Sequence, residues 1–91
     1  SMLRVDWKDE ALEEAEGILA YIAERNPRAA DDLAERIAES IDRLVVWSSI
    51  GRPGRVLGTR ELVISSSYLI VYRVTNQIEI LRVLHGRQEY P

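Results

Sequence analysis

The sequence predicts an α+β domain in the order β-α-α-β-β-β, with a helical hairpin packed on one face of a small, mainly antiparallel sheet. Three observations carry that reading. Between about Lys8 and Trp47 apolar residues recur at three- and four-residue spacing in two runs, with Asn26-Pro27 dividing them. From Arg60 onward the apolar residues are β-formers in short runs, separated by Ser65-Ser66-Ser67 and Thr75-Asn76-Gln77. The 91 residues suffice for one core and not for two, so residues 1–91 read as a single domain.

Each element has its own local reason. Ser1-Met2 reads as a tag-cleavage scar ahead of a native start at Met2. Leu3-Arg4-Val5-Asp6-Trp7 alternates apolar and polar side chains, as a short strand does. A first helix is expected from about Lys8 to Arg25, because positions 11, 12, 15, 18, 19, 22 and 23 form one apolar face. Glu10, Glu13, Glu14 and Glu16 place negative charge at its start, where the helix dipole favours it. Asn26 is a favoured N-cap and Pro27 is tolerated at the first helical position, so a second helix starts there. Its stripe is Ala30, Leu33, Ile37, Ile41, Leu44 and Val45, reaching about Trp47, and so short a link makes the helices an antiparallel hairpin. Ser48-Ser49-Ile50-Gly51-Arg52-Pro53-Gly54 is a loop that ends helical order. Strands follow at about Arg60–Ile64, Tyr68–Val74 and Ile78–His85, and their short connections favour antiparallel hairpins.

Composition narrows the chemistry. The absence of cysteine excludes disulfides, thiolate metal sites and cysteine nucleophiles, and fits a reducing, cytoplasmic setting. No apolar run approaches the roughly 18 residues of a membrane span, and no signal peptide is read, so no membrane role is expected. Neither metal nor cofactor is expected. The acidic run Glu10–Glu16 reads as a solvated face, and the glycines of Gly51–Gly58 lead into a strand, whereas a phosphate cradle leads into a helix. The net charge of −3 conceals an asymmetry. Residues 1–45 carry six cationic side chains against twelve carboxylates (−6), and residues 46–91 carry six against three (+3). All six in the second half are arginine, suited to bidentate capture of phosphate or carboxylate, although chance clustering of surface charge explains so modest an excess equally well.

These elements, in this order, resemble the RelE/ParE superfamily of bacterial type II toxins. The resemblance rests on Val5-Asp6-Trp7 closing the first strand and on Asn26-Pro27 at the hairpin tip. It rests further on Gly51-Arg52-Pro53-Gly54-Arg55-Val56-Leu57-Gly58-Thr59-Arg60-Glu61-Leu62, on Val71-Tyr72-Arg73-Val74, and on Ile80-Leu81-Arg82-Val83-Leu84-His85-Gly86-Arg87. It implies the toxin of a toxin–antitoxin module, of the kind associated with plasmid stabilization, neutralised by an antitoxin whose C-terminal segment wraps the toxin. Two activities occur in the superfamily. RelE-like members cleave mRNA in the ribosomal A site, using arginines and lysines around the phosphate with a late tyrosine, or a glutamate and histidine in some branches. ParE-like members are regarded as growth inhibitors acting on DNA gyrase, without a catalytic centre.

The resemblance makes Arg60, Arg82, His85 and Tyr90 the catalytic candidates of a nuclease, with Arg60 and Arg82 on the scissile phosphate. It makes Arg60, Arg73, Arg82 and Arg87 the candidates for holding an antitoxin or a target. The plainer alternative for each arginine is an ion pair with Glu61, Glu79 or a helix carboxylate; it is preferred for Arg73, and the ligand-facing role is preferred for Arg60 and Arg82. His85 is the only histidine, yet residues three apart in a strand face opposite ways. It therefore shares a site with Arg82 only if the strand ends or bulges near Val83–Leu84, and a structural histidine at the strand end is preferred. Tyr90 stands beside Pro91 at the chain end, where disorder is the expectation. No lysine follows Lys8, and Gly86 stands where a histidine-using nuclease tends to place a tyrosine. These departures favour the gyrase-directed branch over ribosome-dependent mRNA cleavage, with a non-toxic antitoxin-binding co-repressor as the third reading. Trp7 and Trp47 are expected to lock helices onto the sheet. Both faces of the sheet read as apolar while two helices cover one, so a partner segment or a second subunit is expected on the other.

Overall fold

The computed structural model describes residues 3–91, so the reading of Ser1-Met2 lies outside the described residues. The chain runs β1 (Val5–Trp7), α1 (Asp9–Arg25), α2 (Pro27–Val46), β2 (Arg52–Pro53), β3 (Arg60–Val63), β4 (Tyr68–Val74) and β5 (Ile78–His85). The α+β class and the hairpin-on-sheet arrangement are as expected, with one strand more. That strand, β2, lies inside the segment read as loop and pairs antiparallel with β3, Arg52 opposite Glu61 and Pro53 opposite Arg60. Proline is tolerated there because β2 is an edge strand, where a missing N–H breaks no ladder.

The helix boundary forms by the expected chemistry. The Asn26 side chain accepts a hydrogen bond from the Ala29 N–H at 3.1 Å, with Pro27 in the first helical turn. The sheet order is β1-β5-β4-β3-β2, antiparallel except where β1 runs parallel to β5 with Val5 opposite Ile78 and Trp7 opposite Ile80.

Sheet parity sorts the side chains into two layers. Facing the helices, Leu62, Ile64, Ile70, Tyr72, Ile80 and Val83 pack with Ala11, Ala15, Leu33, Ile37 and Leu44. On the far face Leu69, Val71, Leu81 and Leu84 pack with Tyr90. The expectation that Tyr90 is disordered is therefore wrong: it is 8 % exposed, and the tail covers part of the face assigned above to a partner. Burying an aromatic side chain contributes about 1.5–3 kcal/mol, and here a carboxylate also meets its hydroxyl. Trp47 also departs from expectation. It caps the end of α2 and is 61 % exposed, whereas Trp7 packs against the core.

One irregularity aims a functional candidate. Val71 of β4 is opposite Arg82 and Tyr72 is opposite Ile80, so Leu81 and Arg82 together face Val71 across a bulge. Leu81 takes the far face with Val71, and Arg82 turns to the helical side, where it meets α1.

Candidate functional site

The arginines of the second half resolve into four environments. Arg82 is held by α1. Its Nε donates to Glu14 Oε1 at 3.0 Å, its Nη2 donates to Glu14 Oε2 at 2.7 Å, and Glu10 Oε1 lies 2.7 Å from Nε. The same Glu14 accepts the Val83 N–H at 3.1 Å, satisfying an amide beside the bulge. The Glu14 carboxylate, then burial, then Glu14 and Glu10 charge act on the guanidinium, and the net effect raises its pKa. Arg82 thus fixes α1 to β5, and the acidic run read as a solvated face supplies its counter-charge.

Arg73 makes the ion pair preferred for it. Its Nη2 donates to Glu79 Oε1 at 2.6 Å, and Glu79 is held below its ordinary pKa chiefly by that bond. Arg52 and Arg55 converge on Glu61, which is 4 % exposed on the far face. Arg52 Nε donates to Oε1 at 3.0 Å, and Arg55 Nε lies 3.9 Å from Oε2. Tyr90 donates its hydroxyl proton to the same Oε2, while the Arg55 guanidinium lies 4.6 Å from the Tyr90 ring centroid and donates to the Gln88 carbonyl. The sequence offers Glu61 only as an ion-pair partner for the candidate arginines. Its role as anchor of the tail depends on contacts 29 residues apart in sequence, which no local pattern reveals.

Arg60 differs from all of these. It is half-buried, and among the described residues it takes part in no ion pair. One nitrogen, Nη1, donates to the Gly51 carbonyl at 2.8 Å and to the Ser49 carbonyl at 3.3 Å. Beside it Tyr72 is fully buried, donating to the Ser48 carbonyl at 2.8 Å and accepting the Gly51 N–H at 2.9 Å. Burial raises the Tyr72 pKa, against the opposing pull of the Gly51 N–H and Arg60. Gly51 is required here, since a Cβ would stand 2.7 Å from the Tyr72 ring and 2.8 Å from the Glu61 carbonyl. Ser48, Ser49, Gly58, Arg60 and Val74 line a cleft of about 260 Å³ next to this knot.

The nuclease candidates do not converge. His85 sits on the helical side, its ring 5.4 Å from that of Tyr68, and Nδ1 accepts the Arg87 N–H at 3.1 Å, as a structural strand-end histidine does. The bulge at Leu81–Arg82 lies before Arg82, the register from Arg82 to His85 is regular, and the two side chains go to different partners, Arg82 to Glu14 and Glu10 of α1 and His85 to Tyr68 and the Arg87 N–H. Tyr90 lies on the opposite face of the sheet from both. The Arg87 side chain is exposed on the tail. Among the described residues no cluster of three or more His, Cys, Asp or Glu side chains is placed to hold a metal ion, and no helix is long and apolar enough to cross a membrane.

An antiparallel-dominated sheet under a helical hairpin fits the superfamily that the sequence resembles, and comparison with known proteins identifies the family. Residues 5–90 match the family model described as ParE toxin of type II toxin-antitoxin system, parDE. The chain belongs to that family and is the toxin component of a type II toxin–antitoxin system. It is 40 % identical to Y4kP of Sinorhizobium fredii, named as a candidate toxin, over 100 % of this chain and 96 % of that one. It is 33 % identical to Toxin RelE2 of Caulobacter vibrioides, over 93 % of this chain and 97 % of that one. Among solved structures, the chromosomal ParDE system of P. aeruginosa contains a chain that matches with a TM-score of 0.79 and 26 % identity, over 92 % of this chain and 96 % of that one. A chain of the RelBE2 toxin–antitoxin complex of Mycobacterium tuberculosis shares the fold at a TM-score of 0.64 and 21 % identity, over 93 % and 99 %.

Proposed function

We propose that this toxin inhibits growth by binding a protein target, DNA gyrase in the ParE-like reading, and that a cognate antitoxin silences it. The observation that carries the proposal is the separation of the nuclease candidates by the sheet. Tyr90 is buried on the far face against Glu61, while Arg82 and His85 occupy the helical side in bonds to Glu14 and to the Arg87 backbone. General acid–base catalysis needs each group within hydrogen-bond reach of the proton it moves on one bound substrate. Binding needs no such convergence. The complexes in which the related RelBE2 fold occurs support a protein antitoxin for this chain as well. Either target places the toxin in the cytoplasm.

The test is direct. Purified toxin is expected to reduce supercoiling by gyrase or to trap cleaved DNA, and to leave ribosome-bound mRNA intact. Codon-specific A-site cuts mapped by primer extension would move the protein to the mRNA-cleaving reading. The uncommitted guanidinium of Arg60 is the one feature that favours that reading, since a phosphate suits it. Induction without growth inhibition, in cells where the toxin is folded, would identify a co-repressor instead.

A further inference from the structure

We propose that the cleft beyond the end of α2 is a receptor for one carboxylate, an aspartate or glutamate side chain carried on an apolar segment of a protein partner. The proposal deepens the antitoxin-binding half of the function above and is independent of the target. It starts from the charge balance. Of the six arginines after residue 46, only Arg60 and Arg82 are half-buried, and of these two only Arg82 forms an ion pair among the described residues. A half-buried guanidinium without a counter-ion has lost part of its hydration without an ionic partner to offset it. The Gly51 and Ser49 carbonyls engage a single nitrogen of Arg60 and fix its plane, leaving other N–H donors for a planar acceptor. The hydroxyl-bearing Ser48 and Ser49 line the same cleft.

The surroundings select among anions. α2 stops at Val46, so the sheet corner formed by Arg60 and Val74 is left without a helix above it. Val74 lines the cleft. Trp47, next to Ser48, is 61 % exposed, and Leu57, next to Gly58, is 100 % exposed. Gly58 adopts a φ of 86°, a left-handed turn that presents this loop tip. A nucleic-acid strand calls for a row of cations tracking successive phosphates. Here a single cation shares the cleft with Val74 and two serines, and the exposed Trp47 and Leu57 adjoin its lining in sequence, in a chain of net charge −3. That chemistry fits a peptide with a single acid flanked by Leu-, Ile-, Val- or Trp-like residues, its carboxylate on Arg60 and its apolar neighbours on Trp47, Leu57 and Val74.

The test selects random dodecapeptides displayed on phage against the full chain and against Arg60→Gln in parallel, then maps the synthetic winner by amide chemical shifts on the unmodified protein. Expected are peptides with one aspartate or glutamate beside apolar residues, a loss of about tenfold or more in affinity on Arg60→Gln, and an equal loss when the peptide acid becomes its amide. The shifts should fall on Ser48, Ser49, Gly58 and Arg60. Absence of any enriched peptide, enrichment without an acid, or equal binding to Arg60→Gln in its folded state overturns the proposal. So does an oligonucleotide that moves the same signals at lower concentration than the peptide. Should Arg60→Gln fail to fold, Leu57→Ser on the fully exposed loop tip decides together with the shift map: severalfold weaker binding supports the proposal and unchanged binding overturns it. Gyrase inhibition is read without peptide, so a toxin that blocks gyrase yet binds no acidic peptide sinks only this inference.

Discussion

Tyr72 joins β4 to the segment that follows α2, because its hydroxyl is bonded to both the Ser48 carbonyl and the Gly51 N–H. Tyr72→Phe leaves both groups short of a partner in a buried place and is expected to cost about 1–3 kcal/mol. For a domain of this size each kcal/mol lowers Tm by roughly 4–8 °C. The same residue sets an alkaline limit. Burial raises its pKa above the ordinary tyrosine value, so the neutral phenol stabilises the fold at all pH values below about 10. That contribution is lost as pH rises through the folded value, because the unfolded chain ionises first. Urea melts from neutral pH to about pH 11 should show stability falling at the alkaline end, with a shallower fall in Tyr72→Phe; equal slopes would remove Tyr72 from this role. Tyr90→Phe tests the far face. It removes one of three partners of Glu61, and its expected cost is about 1 kcal/mol by thermal melt, with toxicity per folded molecule unchanged.

At the scale of elements, the bulge in β5 and the first turns of α1 form one device. Glu14 shares Arg82 with Glu10 and alone accepts the Val83 N–H, so Glu14→Ala leaves the cation one carboxylate in place of two and strands the amide. The expected loss is about 2–4 kcal/mol, with Glu14→Gln intermediate because it keeps an acceptor for the amide. Parallel chemical melts check the order; a Glu14→Gln no better than Glu14→Ala would mean the amide contributes nothing. The device also marks where sequence stops being legible. The helices, β4 and β5 were read correctly because each carries enough periodic apolar residues, or a local cap such as Asn26-Pro27, to declare itself. β2 was missed because two residues, one of them proline, carry no periodicity. The bulge was missed because Leu81 and Arg82 look like ordinary alternation until Val71 is known to face both. Among the site candidates, the Arg73 ion pair and the backbone contact of His85 at its strand end were legible, since both rest on residues close in sequence. The partners of Arg82 and Tyr90 were not, since each depends on elements far apart in sequence that only the fold brings together.

For the whole molecule, folding takes up most of the arginine charge of the second half. Glu10 and Glu14 of α1 neutralise Arg82 of β5, and within the second half Glu79 and Glu61 absorb Arg73, Arg52 and Arg55. What remains for a partner is correspondingly small, and that separates two kinds of loss in a toxicity assay. Arg82→Ala and removal of Arg87–Pro91 both break internal contacts. The first leaves Glu14 without its cation, and the second uncovers Leu69, Val71 and Leu84. Their growth inhibition should therefore decline in step with Tm, along one line that also contains Glu14→Ala. His85→Ala should sit near the unmodified protein on both axes, since a general acid or base would have removed about 10²–10⁴ of activity. Arg60→Gln should leave the line. Its Tm should change little, because no ion pair among the described residues is broken and only bonds to two backbone carbonyls are altered, while its neutralisation by a co-expressed antitoxin weakens. Growth curves under graded induction, paired with melts of each purified variant, give both coordinates. His85→Ala that abolishes toxicity at unchanged Tm would end the binding mechanism, and Arg60→Gln that remains fully neutralised would detach the cleft from the antitoxin without touching the rest of the account.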